Sequence, residues 1–554
     1  MNPTKKETPA IQNWLFALIL VAFLIYSTIF IVKMVFYVDE KPYTALFDDA
    51  MISMTYARNL AEGYGMVWNP GGERVEGFTN PLWVVFMAGV HLLPIPENWT
   101  SLPIQISGAL FLLGSLFYLR KMALNVSPGQ SRVMLLTVLL TAFYYPLINW
   151  SLIGLEVSVL LLWINIVVFL MLRVLDTGKF SRIIYILMGI ATLIRMDAAV
   201  TYLTIWGLLF IFDKNNRRRH LLEGGFFLLI FMGGQTILRK LYYGEWLPNT
   251  YYLKVEGWPL WSRVQRGFTV FIEFTKGFFW PLMILPFTVF IFRRDRKTLI
   301  LALVYLAQVI YSIYVGGDSW EHRGGSNRFI SLGMPSLFLL FSMACFYWYD
   351  WGMKLVRRFL PKGENVIRPV AISGLSLFLI LSILMWNRMI NNGGPITNLQ
   401  SPTENNLRFF LLLQRSIYMP GSERYAIDGL MIRELTEPGA RVATVAAGNI
   451  CYFMHRECID LFGKSDPVIA HAGIQVPFDS HWKVLKPGHV KFNYEYSIGQ
   501  LQPDVVVELA SSTVDLGLPF VENYTAPKIN RHTMYFKNDS PFVHWDKLEE
   551  MRED

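Results

Sequence analysis

Residues 47–62 read Phe-Asp-Asp-Ala-Met-Ile-Ser-Met-Thr-Tyr-Ala-Arg-Asn-Leu-Ala-Glu, and residues 63–83 continue Gly-Tyr-Gly-Met-Val-Trp-Asn-Pro-Gly-Gly-Glu-Arg-Val-Glu-Gly-Phe-Thr-Asn-Pro-Leu-Trp. Ile52, Tyr56 and Leu60 recur at helical spacing, which predicts a helix over 51–62, closed by Gly63 and amphipathic enough to lie along a membrane surface. Asp48 and Asp49 stand before it. One of them suits an N-cap, whose carboxylate accepts from the open N–H groups of the first turn. The second still calls for a reason. Adjacent carboxylates raise each other's proton affinity or attract a cation, which suits a general base or ligands for a divalent ion such as Mg, Mn or Ca.

The flanks of this segment are apolar. The chain has 554 residues, 53% of them hydrophobic and only 17% charged, with a mean hydropathy of +0.35. A soluble domain carries about 25% charged residues, so the composition is that of a membrane protein. Three cysteines exclude a disulfide scaffold, and the absence of repeats excludes fibrous classes. Blocks long enough to span lie near 14–37, 81–96, 102–119, 131–150, 152–174, 182–212, 222–239, 267–292, 298–315, 328–350 and 366–386, which predicts about eleven crossings, with 182–212 open to a break near Arg195. Basic residues cluster between blocks: Arg217, Arg218 and Arg219; Arg293, Arg294, Arg296 and Lys297; Lys354, Arg357, Arg358 and Lys362. The positive-inside rule makes these loops cytoplasmic, with 38–80, 240–266 and 316–327 external. Arg120, Lys121 and Arg132 conflict with that count. A nucleic-acid surface is disfavoured, because the clusters lack interleaved aromatics on a soluble domain.

After residue 387 the chain turns polar, with Gly, Pro and Asn punctuation and short β-like runs at 441–445 and 505–507. The reading is therefore a polytopic α-helical membrane unit, 1–387, followed by an external soluble α/β domain, 388–554. Cys451 and Cys458 either bridge or stay as buried thiols, and Cys345 falls inside a membrane block.

The quoted segment resembles the first external loop of the GT-C class of polytopic glycosyltransferases, most closely bacterial enzymes similar to the mycobacterial terminal arabinofuranosyltransferase. Further matches follow at Gly154-Leu155-Glu156, Leu193-Ile194-Arg195-Met196-Asp197, 247–254 (Leu-Pro-Asn-Thr-Tyr-Tyr-Leu-Lys) and Gly316-Gly317-Asp318, then Arg328 and Pro335. In the polar part they continue at 459–466 (Ile-Asp-Leu-Phe-Gly-Lys-Ser-Asp) and 487–491 (Pro-Gly-His-Val-Lys). The resemblance implies a polyprenyl-phosphate sugar donor, transfer to an external glycan, lipid or protein acceptor, and a bacterial inner-membrane location with the active site on the periplasmic side. Met51, Met54 and Thr55 depart from the expected loop pattern, and Arg195-Met196-Asp197 replaces an Arg-Pro-Glu-like sequence, so the sugar, arabinofuranose or another, stays open.

Transfer from a lipid phosphate needs a base for the acceptor hydroxyl and cations for the departing phosphate. Asp48 and Asp49 are the candidates for the first. Lys254, His322, Arg323, Arg328 and Arg195 are the candidates for the second, with lipid-headgroup anchoring as the competing role. Glu76, Glu156, Asn249, Tyr251, Tyr252, Asp318 and His489 are candidates for sugar or acceptor contacts. Glu156 and Arg195 equally suit a buried pair, Tyr251 and Tyr252 an interfacial aromatic belt, and Asp318 a turn. With Asp49 as base the anomeric centre inverts, whereas a carboxylate nucleophile would retain it. The alternative function is a transporter or flippase for a lipid-linked substrate, which predicts inverted repeats; none is visible. No P-loop, HExxH or zinc spacing occurs.

Overall fold

The computed structural model describes residues 9–277, 280–319, 327–387, 407–475 and 487–552. Its first half is helical: α1 (Pro9–Val32), α2 (Asp48–Ala61), α3 (Pro81–His91), α4 (Ser101–Val126), α5 (Ser131–Ala142), α6 (Tyr145–Leu152), α7 (Val157–Thr177), α8 (Ile183–Ile194) and α9 (Ala199–Phe212). There follow α10 (Arg217–Leu228), continued through a π-helical turn into α11 (Gly234–Tyr243), then α12 (Asn249–Lys254), α13 (Leu260–Gly277), α14 (Trp280–Ile284) and α15 (Val289–Phe292). The membrane unit closes with α16 (Arg296–Val315), α17 (Arg328–Ser331), α18 (Met334–Phe359) and α19 (Glu364–Trp386). The sequence punctuates these helices locally. The Asp295 side chain accepts from the N–H groups of Lys297 and Thr298 to start α16, and Gly316, in the left-handed region at φ 90°, ends it.

Among the described residues six helices are long and apolar enough to cross a membrane, or eight if each of two bent pairs counts as one span. The blocks at 131–150 and 267–292 are bent pairs of helices, and the block at 81–96 departs furthest from the reading above. The block at 81–96 contains only the eleven-residue α3, a rise of about 16 Å against a hydrocarbon core of about 30 Å. Its two ends lie on one side of the bundle: Asn80 hydrogen-bonds Ser53 of α2, and His91 hydrogen-bonds Tyr452 of the C-terminal part. The block at 182–212 is two helices, broken at Arg195.

With α3 turned back, the basic clusters meet at one end. Lys297 bonds Asn125 and Asp176, Arg293 donates to the Val126 carbonyl, Arg132 pairs with Asp350, and Asn216 donates to the Gly178 carbonyl. Arg120, which bonds Asn13 of α1, belongs to that same end. The conflict over Arg120, Lys121 and Arg132 came from counting α3 as a crossing.

At the opposite end sit α2, the loop to Asn80 and the C-terminal α/β part. The latter starts with α20 (Met419–Leu435) and α21 (Asn449–Met454) around a five-stranded sheet. After a hairpin in the membrane unit, β1 (Phe36–Val38) with β2 (Lys41–Tyr43), the strands are β3 (Arg441–Thr444), β4 (Glu457–Asp460), β5 (Val505–Val506), β6 (Tyr524–Thr525), β7 (Lys528–Ile529), β8 (His532–Thr533) and β9 (Tyr535–Lys537). The sheet order is β4-β3-β5-β9-β6, with β3 parallel to β4 and β5, while β7 and β8 form a separate hairpin. Cys451 of α21 and Cys458 of β4 are disulfide-bonded, with Cα atoms 5.7 Å apart.

Helix α2 is enclosed between the two parts. Nine of its fourteen residues are buried, so it does not lie with one face open on a membrane surface. Its polar positions have inside partners: Asn59 donates to the carbonyls of Val67 and Trp68, and Tyr56 donates to the Val75 carbonyl.

Candidate active site

Asp48 and Asp49 open α2, where the unpaired N–H groups of the first turn favour negative charge. Successive helical residues point about 100° apart, so the two carboxylates diverge. Asp48 faces the C-terminal part. One of its oxygens accepts from the backbone N–H of Asn449 at 2.8 Å and from the Asn449 side chain at 3.3 Å, and the other accepts from the Gly448 N–H at 3.3 Å. Burial pushes its carboxyl above the usual range. A Cβ on Gly448 would run into the Asp48 carbonyl oxygen, so this close approach requires glycine. Asp48 is the clasp that seats α21 on α2.

Asp49 faces a cluster of cations. Its Oδ1 lies 2.6 Å from Lys464 Nζ and its Oδ2 lies 3.6 Å from an Arg328 nitrogen. Burial works to raise its pKa, but Lys464, Arg328 and Lys254 together hold the carboxyl well below the ordinary range. Arg328 is fixed in turn by Asp318, which accepts from its Nε at 2.7 Å, its Nη2 at 2.9 Å and its backbone N–H at 3.1 Å. The Trp150 ring lies 5.2 Å beneath the guanidinium.

Lys254 makes no hydrogen bond or ion pair with any described residue. Burial lowers it to about 8, with Asp49 opposing and Lys464, Arg328 and Arg195 assisting. Its stem packs on Gly488, where a Cβ would come within 3.0 Å of Lys254 Cε. Three cations, Lys464, Lys254 and Arg328, thus face Asp49, with Asp318 bound to Arg328 and Asp48 and Asp460 also acting on Lys464.

Lys464 reaches this point through a supported loop. Asp460 accepts from the N–H groups of Phe462 and Ser465. The Asn249 side chain donates to the carbonyls of Gly463 and Lys464 at 2.9 Å and of Asp466 at 3.3 Å. Asn249 therefore holds the loop that carries Lys464.

Other sequence candidates are spent on protein partners. Arg195 donates to Glu156 at 2.8 Å and Asp197 at 2.9 Å, Asn80 donates to Glu156, and Tyr311 donates to Asp197. This is the buried pair weighed above, now a five-residue network that includes Asn80, the N-cap of α3. Glu76 pairs with Arg239. Tyr251 is exposed. Tyr252 donates to Glu245 and stacks near His471. The His489 ring packs 5.4 Å from Phe462, while its neighbour Pro487 accepts from Ser319, so the 487–489 turn closes one side of the cluster. His322 and Arg323 lie outside the described residues.

Among the described residues no group of three or more His, Cys, Asp or Glu is placed to hold a metal. The donors do not suit one either, because Asp48 faces N–H groups and Asp49 faces Lys464. The sequence reading passed over Lys464 and Asn449 as site residues. Lys464 lay inside the quoted 459–466 stretch, and that was its only signal.

Residues 418–541 match the model of a family described as Domain of unknown function (DUF8728), less than half of the chain. No curated protein matches. Among solved structures, ArnT from Cupriavidus metallidurans in the apo state is 15% identical with a TM-score of 0.54, over 95% of this chain and 98% of that one. The same protein bound to undecaprenyl phosphate is 14% identical with a TM-score of 0.57, over 94% and 98%. The archaeal oligosaccharyltransferase AglB from Archaeoglobus fulgidus, in complex with an inhibitory peptide and a dolichol-phosphate, is 11% identical with a TM-score of 0.54, over 96% and 74%. Likeness at such low identity speaks for the fold, and together with the bundle and the first-loop helix described above it shows that this chain shares the fold of ArnT and AglB, as the resemblance of its first loop to the GT-C class implies.

Proposed function

We propose that this chain is a membrane glycosyltransferase that moves a sugar from a polyprenyl-phosphate donor to an acceptor hydroxyl outside the cell. The observation that carries the reading is Lys254, a buried cation with no anion of its own, beside a carboxylate that two further cations hold ionised. A buried lysine with no hydrogen bond or ion pair to a carboxylate suits an incoming phosphate. Support comes from the ArnT structure bound to undecaprenyl phosphate and the AglB complex with a dolichol-phosphate.

In this scheme Asp49 takes the proton of the acceptor hydroxyl as its oxygen attacks the anomeric carbon. The bond from that carbon to the phosphate oxygen breaks, and the electron pair leaves on the phosphate, which Lys254, Arg328 and Lys464 neutralise. Asp48 has both oxygens committed to α21, so one carboxylate remains for chemistry, which favours inversion. Residues 1–387 form the catalytic unit and 388–554 the external one, in the bacterial inner membrane with the basic end cytoplasmic. Arabinofuranose is the first sugar to try, and a glycan, lipid or protein terminus the acceptor.

The test is transfer of radiolabelled sugar from a panel of polyprenyl-phosphate donors by purified protein in detergent. Asp49→Asn is expected to abolish transfer with folding intact. Equal transfer by wild type and Asp49→Asn would overturn the reading.

A further inference from the structure

A second arginine site lies where α13 crosses α16, apart from the Asp49 cluster. Gly267 marks the crossing: a Cβ there would run into the Ile313 carbonyl of α16. Arg263 lies four residues earlier, on the same face of α13, and Arg266 donates to the carbonyl of Gly316, which ends α16. Arg263 is 7% exposed, yet its Nε and Nη1 are buried without a hydrogen-bond acceptor, and no described carboxylate pairs with it. The Tyr314 ring 5.2 Å away and the negative end of the α16 dipole offset part of the cost of burying it. They supply no acceptor for the two nitrogens, and a buried guanidinium left in that condition is costly.

Its surroundings say what would supply one. Leu260, Trp261, Phe268 and Tyr314 are exposed around it, on α16, which is long and apolar enough to cross a membrane, and on α13, which passes that test only together with the sharply bent stretch 280–292. Trp and Tyr at such helix ends sit at the headgroup level of a bilayer. Asp318 and Arg328, just beyond Gly316 and Gly317, are bound to each other and leave Arg263 to its own side of the turn.

We propose that Arg263 is the floor of a second anion site, which takes the phosphate of a membrane lipid through the α13–α16 seam. The phosphate chemistry is shared by an anionic phospholipid and by polyprenyl phosphate itself, and the test separates them. Purified protein is equilibrated with dioleoyl phosphatidylglycerol, decaprenyl monophosphate or zwitterionic dioleoyl phosphatidylcholine. Bound lipids are counted by native mass spectrometry for wild type, Arg263→Gln, Arg263→Lys and Lys254→Gln. Arg263→Gln is expected to bind one anionic lipid at least tenfold more weakly, while Arg263→Lys and Lys254→Gln keep it. The lipid that shows the difference names the source. A folded Arg263→Gln protein with wild-type lipid counts overturns the proposal, and so does a loss confined to Lys254→Gln, which would assign the lipid to the Asp49 cluster instead. Independently of any variant, a photoreactive analogue of the lipid that shows the difference is expected to label residues 260–268 of the wild-type protein, and absence of that label overturns it too. The proposal does not depend on glycosyl transfer.

Discussion

Replacing Lys464 by Met keeps the aliphatic stem and deletes the charge nearest Asp49. The pair is short, 2.6 Å, and both side chains are largely buried. Removing one partner of a buried ion pair costs about 3–5 kcal/mol, chiefly because the other charge is left uncompensated. Arg328 remains at 3.6 Å, but Asp318 already shares it. With Lys464 gone, burial faces weaker opposition and the Asp49 carboxyl rises. The acid limb of kcat/KM follows that carboxyl and moves up with it.

The sign also fixes the stability profile. In the wild type the Asp49 pKa is depressed, so its contribution is present above the unfolded carboxylate value of about 4 and is lost only as pH falls below that. In Lys464→Met that depression shrinks, because only Arg328 and Lys254 still oppose burial, so the contribution of the ionised carboxylate is smaller and the Tm gap to wild type widens as pH rises from below the unfolded carboxylate value to above it. The assay is transfer at pH 3–9 alongside thermal unfolding over the same range. A uniform loss of activity at every pH, with a constant Tm gap, would show that Lys464 merely braces the loop and would refute the reasoning.

Lys254, lowered by burial to about 8, must be charged to attract a phosphate; decaprenyl-phosphate affinity is therefore expected to fall as pH rises through about 8, and Lys254→Gln to flatten that dependence in a binding titration over pH 6.5–9.5. Asn249→Ala strands three carbonyls of the 463–466 loop; a loss of about 1–3 kcal/mol is expected, with kcat falling more than tenfold, and unchanged kcat would separate Asn249 from the site. The Cys451–Cys458 bond closes an eight-residue loop and is expected to contribute about 2.5 kcal/mol by chain entropy, so Cys451→Ser with Cys458→Ser should lower Tm and transfer together, whereas a variant with wild-type Tm would contradict this.

The helical blocks were legible because roughly twenty apolar residues in a row admit little else. The break at Arg195 was legible because a charge at that depth demands a partner, and Glu156 is that partner. The α/β part was legible from its short β-branched runs, and β3 and β5 fall inside the stretches read as strands. The setting of α2 was not. Ser53, Thr55 and Asn59 look like a wet face in sequence, but they are buried, and Ser53 and Asn59 bond to the loop that folds back over the helix. Periodicity cannot separate a polar face turned to water from one turned to carbonyls. Lys464 was invisible for a different reason: it stands 415 residues from Asp49, and a pairing set by how two parts dock leaves no local pattern.

That docking explains why an adjacent pair of aspartates opens α2. A single carboxylate would have to choose between holding the C-terminal part and facing the cations. Two residues about 100° apart on one helical turn divide the tasks. Asp48 captures the start of α21, and the disulfide ties α21 to β4. From β4 the chain runs through Asp460 to Lys464, which returns to Asp49. The two aspartates thus anchor both ends of one closed circuit through the C-terminal part. Exchanging Asp48 for Asn keeps an acceptor but supplies a donor against the Gly448 and Asn449 N–H groups. Asp48→Asn should therefore loosen Lys464 at a distance and give a pH profile like that of Lys464→Met. If Asp48→Asn instead behaved like Asp49→Asn, losing transfer at every pH, the division of labour argued from the geometry would be wrong, and both carboxylates would have to face the reacting sugar.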